Sequence, residues 1–84
     1  MTDNEIRNAI LEAAYNSAKE AGGVKIGIFI VYKISKLLGL EKKRIDFNAD
    51  YLDGKDLVKW STSGGGMVIT VEGIDEYERT HKHK

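Results

Sequence analysis

Cysteine is absent from the 84 residues. Disulfides and thiolate chemistry are therefore excluded, which fits a cytoplasmic chain. Only two histidines occur, His81 and His83, both in a terminal HKHK. No Ser-His arrangement can be built on the core from them, and a solvated, disordered tail over 81–84 describes them better than a metal site. No stretch approaches the ~20 apolar residues of a membrane span, and the start, MTDNEIRN, lacks the basic-then-apolar layout of a secretory signal. Gly64-Gly65-Gly66 is not a phosphate loop, because no Gly-Lys-Ser/Thr follows and a strand pattern comes next. Asp46, Asp50, Asp53 and Asp56 recur with the period of a helix face, not with the alternation of a calcium loop. A chain without enzymatic activity, cofactor or metal is expected.

An excess of either charge is also missing: 13 basic side chains balance 13 acidic ones. Compact nucleic-acid-binding domains usually carry a basic excess. Here the charges are segregated along the chain. Residues 25–44 carry Lys25, Lys33, Lys36, Lys42, Lys43 and Arg44 against Glu41 alone, and residues 45–56 carry four aspartates against Lys55 alone. A basic block of this kind can meet a polyanion although the sum is zero.

The length admits one domain with a small core. The first helix is expected over 4–20, capped by Thr2 or Asp3 and ended by Gly22-Gly23, with Ile6, Ala9, Ile10, Ala13, Ser17 and Ala21 as its inward stripe. Val24-Lys25-Ile26 reads as a short strand and Gly27 as a break before a second helix from about 28. The β-branched run from Val24 to Ile34 also fits one long strand. Ile30, Val31, Ile34, Leu37 and Leu38 keep helical spacing, Gly39 closes that helix and Leu40 plugs the corner. A third helix over 42–53 follows, with Ile45, Ala49 and Leu52 inward, and Asp53-Gly54 stops it. Leu57–Ser61 and Met67–Val71 read as strands around a flexible hairpin loop, and Thr70 caps a last helix over 71–80 with Ile74 and Tyr77 inward. The expected core is Ile6, Ile10, Ala13, Ile26, Ile30, Ile34, Leu37, Leu38, Leu40, Ile45, Ala49, Leu52, Leu57, Ile69 and Ile74.

Three patterns, ISKLLGL at 34–40, YLDGKDLVKW at 51–60 and ITVEGIDEYE at 69–78, lie at mutual spacings that resemble the winged helix-turn-helix family of small bacterial and archaeal transcription regulators. The resemblance spans nearly the whole chain. It implies an α+β fold over 1–80 with a three-helix core, a β-hairpin wing and a short C-terminal helix. It also implies binding of double-stranded DNA, with residues 42–53 as the recognition helix in the major groove and 61–67 as the wing tip. Candidate contacts are Lys42, Lys43, Arg44, Phe47 and Asn48 on that helix. Lys33 and Lys36 would meet phosphates, and Lys59, Thr62 and Ser63 would serve the wing. Dimerisation follows on the same grounds, since such regulators read paired half-sites.

The chain departs from the family pattern in carrying Glu41, Asp46 and Asp50 on the outward side of the third helix, and no cation on the TSGGG wing tip. Conversely, Lys42 and Lys43 stand at the positive end of the helix dipole, an unfavourable placement that suggests a task outside the helix; pairing with Asp46 is the alternative. Trp60 is expected over the core. Phe47 points away from the inward stripe, either as an anchor for a partner, extended by Tyr32 and Tyr51, or folded on Tyr51. A second reading is therefore a protein-interaction module anchored on Phe47 and Tyr51, one domain of a larger polypeptide.

Overall fold

Thr2 opens α1 (Asp3–Ala21) with a reciprocal cap: its hydroxyl accepts from the Glu5 amide at 3.2 Å, and the Glu5 carboxylate accepts from the Thr2 amide at 2.8 Å. The computed structural model describes residues 1–61 and 64–81. Left-handed Gly22 ends α1, and the chain then passes through β1 (Phe29–Ile30), α2 (Tyr32–Leu38), α3 (Lys42–Gly54), β2 (Val58–Trp60), β3 (Gly66–Ile69) and α4 (Val71–Thr80). The fold is α+β, with four helices and one antiparallel sheet among the described residues. β3 lies at the centre of that sheet, pairing Val58 with Ile69 and Trp60 with Met67 on one side and Phe29 with Met67 on the other.

α1 packs on α3, β3 and α4, which sets its buried stripe. That stripe is Ile6, Ile10, Leu11, Ala14 and Ala18, rotated from the expected one, because three neighbours cover more of the helix than one would. Ser17 and Ala13 are half-buried and Ala21 is exposed. Val31, Ile34, Ile45, Ala49, Leu52, Val58, Met67 and Ile69 complete the core, with Ala13, Leu40, Leu57, Trp60, Ile74 and Tyr77 packed against it. Each fully buried Ile or Met contributes about 1.5–3 kcal/mol of transfer free energy. Thr70 caps α4 by accepting from the Gly73 amide at 2.9 Å.

The segment between α1 and α2 differs most from expectation. Residues 24–26 form a turn rather than a strand, and Gly27 crosses α1 so closely that a Cβ there would lie 2.4 Å from the Ala18 Cα. The chain reaches β3 only at Phe29, so two residues pair, and the helix begins at Tyr32 instead of near 28. Ile28 and Ile30 are β-branched and favour extended backbone here. The shortened α2 leaves four expected core residues outside: Ile26 is 67% exposed, Leu37 is 82% exposed, and Ile30 and Leu38 are also open to solvent. Leu37 and Leu38 line a shallow groove with Ala9 and Ala13 of α1. Gly39 ends α2 in the left-handed region as expected, and the Leu40 amide bonds back to the Ser35 carbonyl at 3.0 Å.

His81, expected to begin a disordered tail, instead follows α4 directly and stacks on Tyr77 with ring centroids 4.1 Å apart. Residues 82–84, the rest of that expected tail, lie outside the described residues. No helix among the described residues is long and apolar enough to cross a membrane.

Candidate functional site

The helix that carries most of the candidate residues, α3, divides into three faces. Ile45, Ala49 and Leu52 turn inward, as their spacing requires. Asn48 joins them and is fully buried. Its Oδ1 accepts from Arg7 Nε at 2.9 Å, while its Nδ2 donates to the Arg44 carbonyl at 2.9 Å and to Asp3 Oδ1 at 3.1 Å. Arg44 turns the same way: its Nη2 is 3.1 Å from Asp3 Oδ1 and 3.0 Å from the Met1 carbonyl. The hydrogen bond from Asn48, and then that from Arg44, hold the Asp3 carboxyl below its usual range. Asn48 and Arg44 therefore join α3 to α1; Asn48 is buried away from the outward surface, which corrects it as a contact candidate, whereas the Arg44 side chain stays 39% exposed. Asn48 stands three residues after Ile45 and four before Leu52, on the apolar stripe itself, so the helical period already carried the signal.

The side of α3 next to the sheet holds two of the outward carboxylates, and both are engaged by aromatic donors. The Tyr32 hydroxyl donates to Asp46 Oδ1, and Trp60 Nε1 donates to Asp50 Oδ1 at 2.9 Å. The bond to Asp46, with partial burial, pushes the Tyr32 hydroxyl up to about 12. Lys42 places its ammonium 4.7 Å from the centre of the same ring rather than pairing with Asp46. Tyr32 thus serves as packing between α2, α3 and the hairpin instead of extending a patch around Phe47. Trp60 combines packing on the core with its bond to Asp50.

The hairpin leans onto the start of α2. Gly65 has φ +92°, and a Cβ there would lie 2.6 Å from the Tyr32 ring. The Gly65 carbonyl accepts from the Val31 amide at 2.9 Å, and the Ser61 amide donates to the Gly66 carbonyl at 2.7 Å. Only a residue that tolerates left-handed backbone and lacks a side chain fits under that ring. The expected flexible loop is thus anchored at Gly65 and Gly66. Thr62 and Ser63, the candidate wing-tip residues, lie outside the described residues. Lys59 is exposed in the middle of β2.

The third face of α3 is open. Lys42 and Lys43 are exposed in its first turn, and Lys33 and Lys36 are exposed on α2. Phe47 is 61% exposed, as the helical geometry predicts, and Tyr51 is 42% exposed with the Arg7 guanidinium stacked 3.7 Å from its ring centre. Arg7 was not legible as a site residue, because its partners lie 41 and more residues away. Comparison with protein-family models, curated protein sequences and solved structures returns no match for this chain.

Proposed function

We propose that this chain is a winged helix domain, and that it binds double-stranded DNA in a cytoplasmic transcriptional regulator with α3 in the major groove. The order of elements, the tight α2–α3 turn at Gly39 and the hairpin beside α3 support the fold reading. One observation carries the functional reading. Lys33, Lys36, Lys42 and Lys43 form no ion pair among the described residues, whereas Asp46 and Asp50 are occupied by Tyr32 and Trp60. Phosphates approaching α3 would meet unpaired ammonium groups first, and the field of a duplex supplies much of the binding free energy. Phe47 would then touch base edges or a thymine methyl, and Lys59 the flanking backbone. Pairing of half-sites would need a dimer, joined through α1 or α4.

Fluorescence anisotropy with mixed-sequence duplex at ~50 mM and ~200 mM salt tests this reading. Lys42→Ala and Lys43→Ala are each expected to weaken binding and to lower the salt slope by about one. Unchanged affinity and slope in both variants would remove α3 as the contact surface.

The turning of Arg44 and Asn48 toward α1 favours a second reading, in which Phe47 and Tyr51 anchor a protein partner. Under it, Phe47→Ala abolishes capture of that partner while duplex DNA gives no saturable amide shift at ~50 mM salt.

A further inference from the structure

A groove of about 470 Å³ opens between α1, the C-terminal end of α3 and α4. Its lining is mostly polar, with the exposed Asn4 and Asn8 among it, and Leu11, Leu52 and Leu57 supply the smaller apolar part. Cations reach it from three separate segments: Arg7 on α1, Lys55 just after α3, and Arg79 on α4. Among the described residues Glu76 is the one carboxylate lining it, and that group is taken up by Arg79.

Arg7 distinguishes this groove from an ordinary charged crevice. Its Nε is fixed by the fully buried Asn48, and its Cζ lies over the Tyr51 ring, 3.7 Å from the ring centre. Its two terminal nitrogens donate to nothing among the described residues. Asp3, which senses the charge of Arg7, has its Oδ1 committed to Arg44 and Asn48. A guanidinium immobilised through Nε and stacking presents a ready two-toothed donor edge, the geometry that suits a carboxylate or a phosphate. Lys55 Nζ, 5.9 Å from the centre of the Tyr51 ring, adds a second charge that forms no ion pair among the described residues. Little ordering entropy is left to lose when an oxyanion arrives.

We infer that this groove binds a small amphiphilic oxyanion, a carboxylate or phosphate ester on an apolar body, whose head group sits on Arg7 and Lys55 and whose body lies on Leu11, Leu52 and Leu57. The volume is within the range of small-molecule sites. Binding here is independent of whether α3 meets DNA. Because Arg7 also holds Asn48, occupation is felt in the middle of α3.

Amide spectra of the full chain, titrated separately with octanoate, hexyl phosphate and octanol, provide the test. Either anion is expected to give saturable shifts at Asn8, Leu11, Tyr51, Lys55 and Leu57, with Asn48 following, and octanol to bind at least about tenfold more weakly. The stronger of the two anions identifies the head group. Arg7→Lys keeps the charge and loses the fork, so affinity should fall about tenfold. Should that variant lose its native spectrum, Lys55→Gln decides, with a loss of about threefold expected. No saturable shift with either anion, octanol matching the anions, or unchanged affinity in the folded variants would overturn the assignment.

Discussion

Replacing Asn48 by alanine separates a structural joint from a reading residue, and the structure sets the size of the effect. Two bonds of Asn48 lie in protected surroundings: the charged one from Arg7 Nε and the neutral one to the Arg44 carbonyl. A hydrogen bond to a charged group is worth about 1.5–3 kcal/mol and a neutral one about 0.5–1.5 kcal/mol. The bond to Asp3, whose carboxylate is open to solvent, is left out of the sum. The expected loss is about 2–4.5 kcal/mol. A chain of 84 residues has a total stability of roughly 4–13 kcal/mol. The melting temperature should then drop by roughly 8–36 °C, since a small domain moves about 4–8 °C per kcal/mol. Phe47→Ala, one residue away but outward, should stay within about 0.5 kcal/mol of the parent. Urea denaturation followed by circular dichroism measures both. An Asn48→Ala protein that unfolds at the parent midpoint while losing DNA affinity would refute the joint and restore Asn48 as a base contact.

Gly65→Ala forces a methyl against the Tyr32 ring from a left-handed backbone, and should cost at least about 1–2 kcal/mol, read as a lower midpoint in the same urea experiment. Tyr32 should ionise only near about 12 in an absorbance titration, and Asp46→Asn should bring it down toward the ordinary tyrosine value of 10.0. The folded value is raised above the unfolded one, so the stabilisation is complete below pH 10 and disappears as pH climbs through about 12. An Asp46→Asn titration identical to that of the parent would detach the shift from this bond.

The elements with strong local punctuation were legible in the sequence. Thr2, Gly22, Gly39 and Thr70 bound α1, α2 and α4 through contacts within five residues, and the breaks they impose survive folding. The helical period of Ile45, Ala49 and Leu52 likewise placed α3 to within a residue at its end. The stretch from Val24 to Val31 failed because its residues suit strand and helix spacing alike. The decision was made by a contact no local pattern contains, the crossing of Gly27 over Ala18. The same divide runs through the candidate site. Exposure of Lys42, Lys43 and Phe47 follows from the helix wheel, whereas the partners of Arg44, Asp46, Asn48 and Asp50 lie between 10 and 45 residues away, apart from one turn-to-turn bond within α3. Charge patterning therefore registered Asp46 and Asp50 as obstacles to an anion, although each holds an aromatic donor in place.

The exposed isoleucines beside β1 have a consequence for how copies of the chain behave toward one another. Ile28 and Ile30 alternate with the half-buried Phe29 and the buried Val31 at β1, the two-residue edge strand of the sheet, and Ile26 is exposed in the turn before it. Such an edge invites a neighbour to add its own backbone. Lys25 in the preceding turn and Lys33 in α2, both exposed, flank this run and set positive charge beside the edge of every copy. Repulsion of this kind fades as the screening length shrinks from about 10 Å at 0.1 M salt to about 3 Å at 1 M. Adhesion between copies at this edge should therefore grow with ionic strength. Capture of a polyanion by the lysines of α2 and α3 should decline over the same range. A salt series with light scattering on one side and anisotropy on the other would see the two surfaces respond in opposite directions.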